Sequence, residues 1–262
     1  MSHPSADPIL GGMATLDPPA DQAAVVAHQV SRRYGHGEFA VDALRGVSLE
    51  VPRGQLTAVM GPSGSGKSTL MHVLAGLDRP TAGQVLIGGE DISSMGDKEL
   101  TLMRRRHIGF VFQFFNLLPM LTAEENVMLP SSIAGKKPDQ DWVEAVIQRV
   151  GLAERRNHRP SELSGGQQQR VAVARALVSE PTILFADEPT GNLDSQTSAE
   201  ILDLLREAVD AYGQTTLMVT HDPRAAAAAD RVVFIADGRL VRDLDSPTES
   251  RVMGTLSEVS AL

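Results

Sequence analysis

The chain of 262 residues has no cysteine, which excludes disulfides, thiolate metal sites and a cysteine nucleophile together and fits a cytosolic address. An excess of positive charge is missing as well. Twenty-four Lys and Arg against 33 Asp and Glu leave a formal net charge of −9, the opposite of the basic face that nucleic-acid-binding proteins use to neutralise phosphates. No nucleic-acid partner is expected, although a local basic patch stays open. No stretch approaches the ~18 consecutive apolar residues of a membrane span, and the first residues lack the basic and apolar regions of a signal peptide. Any role at a membrane is therefore expected to come through a partner. What is present suffices for a core: 42% of the residues are hydrophobic, in a length that suits one large α/β domain or two small ones.

The most specific local signal is Gly61-Pro62-Ser63-Gly64-Ser65-Gly66-Lys67-Ser68, which follows the apolar strand candidate Leu56 to Met60 and opens the helix candidate Lys67 to Ala75. Glycines allow a tight turn with successive N–H groups pointing inward, and the following helix N-terminus adds its positive dipole end. Lys67 supplies a mobile charge for β- and γ-phosphates, and Ser68 a hydroxyl for Mg²⁺. A strand before and a helix after are what distinguish a phosphate cradle from a chance match.

Residues 1–23 are rich in Pro, Ala, Gly, Asp and Ser with little apolar periodicity and read as a disordered extension. Val25 to Tyr34, Phe39 to Leu44 and Val47 to Val51 read as short strands, with Pro52-Arg53-Gly54 as a turn. Tyr34, before a Gly-rich turn, suits either stacking on a base or plain packing. Gln84 to Ile87 is a strand, and Asp97 to Arg106 a polar helix ending in Arg104-Arg105-Arg106-His107. That basic run resembles a nucleic-acid or lipid patch, but a solvated helix terminus favoured by the macrodipole accounts for it equally. Ile108 to Phe112 is a strand with Phe110 and Phe112 on one face, most simply core. Four of the seven phenylalanines lie between Phe110 and Phe115. Phe114 and Phe115, past Gln113 where a loop must begin, mark a satellite cluster or a docking surface. Thr122 and Glu125 have the spacing of a capping box, so a helix starts there and stops before Pro130. Asp141 to Val150 is a further helix, making residues 122–160 a mostly helical insertion.

Leu163-Ser164-Gly165-Gly166-Gln167 opens the next helix, with Ser164 and Gln167 again spaced as a capping box. An ordinary capped helix explains it, yet two glycines at a helix N-terminus also form a second anion nest. Thr182 to Ala186 is a buried strand that delivers Asp187 and Glu188 at its carboxyl end, where open α/β sheets place ligands. Asp187 suits Mg²⁺ and Glu188 the polarisation of a water. Asn192-Leu193-Asp194-Ser195 precedes an amphipathic helix ending at Gly213. Thr215 to Val219 is a strand leading to Thr220-His221-Asp222-Pro223, where Asp222 and Pro223 are explained by helix capping and His221 is not. Arg231 to Ile235, the Asp237-Gly238 hairpin and Arg239 to Asp243 complete an ordered region over 24–245. Residues 246–262 read as a polar tail with one weak apolar pattern.

Together these motifs resemble the nucleotide-binding subunit of ABC transporters, over nearly all of Val25 to Asp243. Gly61 to Ser68 is similar to Walker A, Gln113 to the Q-loop, Leu163 to Gln167 to the LSGGQ signature, Ile183 to Asp187 to Walker B, Asn192 to Asp194 to the D-loop, and His221 to the switch histidine. The resemblance implies an α/β fold: a P-loop (RecA-like) core, an antiparallel β subdomain and a helical subdomain over about 114–178. It implies ATP and Mg²⁺, with Lys67, Ser68, Asp187 and Gln113 holding the phosphates and metal and Thr69 and Asp194 adding nucleotide contacts. Glu188 becomes the general base, His221 its partner in holding the γ-phosphate, and Tyr34 the platform for adenine. A second copy of the chain, head to tail, supplies Ser164, Gly165 and Gly166 in trans, so each chain owns two half-sites.

The stretches Phe110 to Pro130 and Asp187 to Asp194 resemble the macrolide-export, lipoprotein-releasing and cell-division branch, which implies a separate permease docking near Gln113, Phe114 and Phe115. The expected address is peripheral, on the cytoplasmic face of the membrane. An ATPase passing force to a cell-envelope regulator without moving solute fits the same motifs. A free-standing ABC ATPase of DNA repair or translation predicts a coiled-coil insertion, a tandem cassette or a basic surface, and the sequence has none of these.

Overall fold

The computed structural model describes residues 23–135, 137 and 139–261. The extension expected over residues 1–23 lies outside them except for Ala23, which opens the first strand. In chain order the elements are β1 (Ala23–Tyr34), β2 (Val41–Pro52), β3 (Leu56–Met60), α1 (Lys67–Leu74), β4 (Ala82–Ile87), β5 (Glu90–Asp91), α2 (Asp97–His107) and β6 (Ile108–Phe112). Then follow α3 (Ala123–Ile133), α4 (Gln140–Arg149), α5 (Gly165–Leu177), β7 (Ile183–Asp187), α6 (Ser195–Tyr212), β8 (Thr216–Val219), α7 (Pro223–Ala227), β9 (Arg231–Ala236), β10 (Arg239–Asp245) and α8 (Glu249–Ser260).

Two sheets share the work. An antiparallel sheet runs β2-β1-β4-β5, and a six-stranded sheet runs β10-β9-β3-β8-β7-β6. In the larger sheet β3, β6, β7, β8 and β9 pair in parallel and only β10 returns antiparallel. Strands buried on both faces read as near-continuous apolar runs, here interrupted by buried Thr57 and Thr216, and alternation assigns each residue to a side. Val59, Phe185, Leu217 and Ile235 point to the core shared with α1 and the antiparallel sheet. Met60, Leu184, Met218 and Phe234 point the other way, to α5, α6 and α8. A third cluster, with Val127 of α3, Val143 and Ile147 of α4 and Val171 of α5, gives the helical subdomain its own core. The architecture is the α/β class expected, with its antiparallel β and helical attachments.

Three expectations need correction. The two strands read at Phe39 to Leu44 and Val47 to Val51 are one strand, β2, whose ladder with β1 shifts register on either side of Val30. Gly46 absorbs that irregularity at φ +69°, and Phe39 sits in a 3-10 turn, 88% exposed. Helix α3 does not stop before Pro130 but runs through it to Ile133. Proline removes only the bond to the Asn126 carbonyl, and burial of Val127 and Ser131 on either side holds the helix together. Residues read as a polar tail form α8, which buries Val252 and Val259 against the sheet. Their spacing, with Leu256 between, is one helix face in an otherwise polar run.

Candidate functional site

Because β3, β8, β7 and β6 are parallel neighbours, their carboxyl ends lie side by side on one edge. That edge receives the Gly61 loop, His221, the Asp187-Glu188 pair and Gln113 in spatial order.

The loop after β3 is built for an anion. Gly66 occupies the N-cap of α1 at φ +107° and offers no side-chain cap, so the first N–H groups of α1 are open to a ligand. A Cβ at Gly66 would lie 2.6 Å from the Ala43 carbonyl oxygen, and one at Gly61 would lie 2.0 Å from that of Ile235. The Ser65 hydroxyl is buried with no hydrogen-bond partner. Lys67 Nζ donates to the carbonyls of Gly61 and Pro62, both at 2.9 Å. Burial lowers its pKa against the opposing pull of Glu188 and Asp187. A cleft of about 370 Å³ opens here, lined by Val41, Gly64, Gly66, Lys67, Ser68 and Thr69 among others. These features fit a polyphosphate: an uncapped helix, an orphaned hydroxyl and a loop with no room for a side chain at Gly61 or Gly66.

Asp187 ends β7 with its carboxyl pushed above the ordinary value, by burial first and by the neighbouring Glu188 charge as well, against His72 and Lys67. Glu188 adopts a left-handed φ of +46°, a conformation that costs a non-glycine residue on the order of 1 kcal/mol or more. Its own N–H donates to the Val219 carbonyl at 2.9 Å, and the turn directs its carboxylate at His221. Glu188 Oε2 lies 2.9 Å from His221 Nδ1 and 3.4 Å from the His221 backbone N. The Glu188 side chain is 18% exposed and that of His221 71%, so the base candidate is sheltered and the histidine faces outward.

Gln113 donates through Nε2 to Asn192 Oδ1 at 3.2 Å, and Asn192 Nδ2 donates to the Gln113 carbonyl at 3.0 Å. A Cβ at Gly191 would fall 2.8 Å from Gln113 Nε2. The loops after β6 and β7 are thereby joined. Gln167 reaches back to the Ser164 N–H at 2.9 Å, while Ser164 Oγ accepts from the Gln167 N–H at 3.3 Å. Beyond them, buried Gln169 donates to the Pro189 carbonyl at 2.6 Å. Asp194 caps α6, accepting from Gln196 N, Thr197 N and Thr197 Oγ1; the Thr197 bonds lead in holding its carboxyl below the ordinary range.

Within one chain Lys67, Asp187, Glu188, His221 and Gln113 share the sheet edge. None of Ser164, Gly165, Gly166 or Gln167 lines the Lys67 cleft. Tyr34 does not line that cleft itself, but it pairs across the β1–β2 ladder with Val41, which does.

Sequence reading missed three supports. Arg175 donates to the carbonyls of Phe115 at 2.9 Å and Asn116 at 2.6 Å, both residues at left-handed φ. Burial lowers its pKa. A lone arginine inside the apolar run from Val171 to Val178 was the available signal. Asn126, fully buried, donates to the carbonyls of Leu118, Leu121 and Thr122 and accepts from the Leu118 N–H. Gln169 left no signal, since it follows two other glutamines.

A parallel sheet with an uncapped lysine-bearing glycine loop, an aspartate and a glutamate–histidine pair on one edge defines a P-loop nucleotidase. The family model described as ABC transporter matches residues 44–191, and the chain belongs to that family. It is 53% identical over 209 residues to an uncharacterized ABC transporter ATP-binding protein of Thermotoga maritima, covering 79% of this chain and 89% of that one. It is 50% identical over 216 residues to the lipoprotein-releasing system ATP-binding protein LolD of Geobacter metallireducens, covering 82% and 96%. Among solved structures it is similar to the dimeric post-hydrolysis state of the ATP-binding cassette MJ0796 bound to ADP and Pi, with a TM-score of 0.77, 40% identity, and coverage of 86% and 99%. The chain is an ATP-binding, ATP-hydrolysing subunit of an ABC transport system.

Proposed function

We propose that two copies of the chain close head to tail on ATP and that this closure drives a separate membrane permease. One observation carries the reading. The Lys67 cleft contains no signature residue, while Ser164 and Gly165 stand exposed at the start of α5, so each chain holds two unmatched halves. The dimeric form of the similar MJ0796 cassette supports the pairing.

In the closed pair, Gly61 to Gly66 and the N-terminus of α1 cradle the phosphates, with Pro62, Ser63 and Ser65 shaping the loop and Thr69 beside it. Lys67 leaves the carbonyls of Gly61 and Pro62 for the phosphate oxygens. Ser68, Asp187 and Gln113 are the residues that would hold Mg²⁺, whose chemistry is charge neutralisation on the transferring phosphoryl group. Glu188 takes the proton of the attacking water, and His221 holds Glu188 in place. Ser164, Gly165, Gly166 and Gln167 of one copy close over the other's cleft, with Asp194 bordering the seam. Tyr34 stacks on the adenine.

The permease seat is a groove of about 350 Å³ between the sheet and the helical subdomain, lined by Phe110, Phe112, Leu129, Pro130, Ile133 and Ala176 among others. Phe114 beside it is 73% exposed. Phe115 turns inward instead, 3.7 Å from where a Cβ of Gly165 would stand, and so links the seat to the signature. Among the described residues no helix is long and apolar enough to cross a membrane, which supports peripheral association with the inner face through the permease. The test is Glu188→Gln, which is expected to lower ATP turnover at least ~100-fold while an ATP-dependent dimer accumulates in gel filtration. Intact turnover in that variant would remove Glu188 from its role.

A further inference from the structure

Two charged residues with no role so far, Arg32 and Asp78, converge on Tyr34. Tyr34 Oη donates to Asp78 Oδ2 at 2.6 Å. Arg32 grips the same carboxylate with both arms of its fork, Nε to Oδ2 at 2.9 Å and Nη2 to Oδ1 at 2.8 Å. Its guanidinium carbon also lies 4.4 Å from the centre of the Tyr34 ring. Arg32 and Tyr34, two residues apart on β1, share a face of the strand, whereas Asp78 comes from beyond the far end of α1.

Asp78 and Arg32 restrict Tyr34 in different ways. The phenol bond to Asp78 fixes where the ring reaches, and the guanidinium lying on it fixes the ring plane and covers one of its two faces. Tyr34 as a whole remains 39% exposed. Asp78 is anchored in turn, because the N–H groups of Leu77 and Asp78 both donate to the carbonyl of His72, on the helix that carries Lys67 and Ser68 at its other end. Burial would raise the Asp78 pKa, but the bonds from Tyr34 and the Arg79 N–H, together with Arg32, outweigh it and keep the carboxylate ionised to lower pH.

We propose that Arg32 and Asp78 are positioning residues that lock the Tyr34 ring as a one-faced platform for a purine base, at a set distance from the phosphate cradle. The inference rests on the reading of Tyr34 as the adenine platform. A bidentate ion pair, a phenol–carboxylate bond and a cation over the ring are more than a packing tyrosine needs. A ring immobilised before binding loses little freedom when a base stacks on it. The locking acts on the base alone, so its loss should separate ATP from a phosphate chain that has no base.

The experiment uses the full chain and two ligands, ATP and inorganic tripolyphosphate, each with Mg²⁺, titrated by calorimetry, with steady-state ATP turnover alongside. Asp78→Asn, Arg32→Gln and Tyr34→Phe are each expected to weaken ATP binding about 3- to 10-fold. KM should rise by the same factor, with kcat and tripolyphosphate affinity within about twofold of wild type. Tyr34→Phe keeps the ring and removes only Oη, so it serves if either charge variant folds poorly. Tyr34→Ala tests the platform itself and should lose at least as much ATP affinity as any of these. If Tyr34→Ala weakens ATP binding and the three others do not, the positioning role is overturned and the platform stands. If Tyr34→Ala leaves ATP affinity unchanged, the platform falls and the inference with it. Parallel loss of tripolyphosphate affinity in Asp78→Asn would make Asp78 a structural support of α1 and overturn the inference as well.

Discussion

The glycine-containing helix starts at α1 and at α5 are built on different grounds. At α1 the glycines are demanded by backbone geometry: Gly66 sits at φ +107° against a neighbouring carbonyl, and no side chain occupies the cap. At α5 neither Gly165 nor Gly166 has a positive φ. A Cβ on Gly166 would meet a side chain, the Thr197 methyl at 2.4 Å, and Ser164 with Gln167 already closes a capping box. The first start is an open cradle with its own lysine and acid. The second is a self-satisfied, exposed tip that has nothing to act on within its own chain. A sequence motif rich in glycine therefore marks the cradle half of a phosphate site in one case and, in our reading, the closing half in the other.

The largest expected effect breaks the comparison at the lysine. Lys67→Ala should lower ATP affinity at least ~100-fold in calorimetry, whereas Ser164→Arg should keep affinity within about threefold and abolish the ATP-dependent dimer. Next come the glycines. Gly66→Ala meets both a strained φ and a fixed carbonyl, so it should cost roughly 3 kcal/mol or more in urea unfolding, with no side-chain change elsewhere able to restore it. Gly166→Ala meets one methyl and should cost about 1–3 kcal/mol, most of it recovered by adding Thr197→Ser. Equal behaviour of the two would erase the distinction.

The smallest effect concerns Asp194, beside the second helix start. Its folded pKa is depressed, chiefly by Thr197, so its contribution to stability is present above the ordinary carboxylate pKa and lost as pH falls through the folded value. Wild type should unfold at higher urea than Asp194→Asn near neutral pH, and the two midpoints should converge in acid. A constant gap across that range would show that the carboxylate charge at this cap is idle.

Most of the sheet was legible because strands buried on both faces leave nearly continuous apolar runs, as at Leu56 to Met60, broken only by Thr57, and Ile183 to Ala186. Helix starts at Thr122, Ser164 and Asp222 were legible because caps are local chemistry, and each side chain makes its cap bond. What escaped depends on tertiary contact. The merging of β2 follows from its ladder with β1, α3 passes Pro130 because its flanks are buried, and α8 exists because the sheet supplies a surface for Val252 and Val259. The same holds within the site. The Glu188–His221 contact joins two loops 33 residues apart, and the partners of Tyr34 include a residue 44 positions away. Motif order brought such loops under suspicion, but only the pairing of β7 with β8, and of β1 with β4, brings the atoms together.

The two-halves account is tested most directly by complementation between crippled chains. In a Glu188→Gln background, which should hold closed pairs together, Lys67→Ala and Ser164→Arg are mixed with ATP and followed by analytical ultracentrifugation. Each alone should remain monomeric, while the mixture forms a heterodimer that binds one ATP, since the Lys67→Ala chain still offers an intact signature to the intact cradle of the other. A mixture that stays monomeric while the Glu188→Gln chain alone dimerises, or a dimer of either variant by itself, would contradict the account.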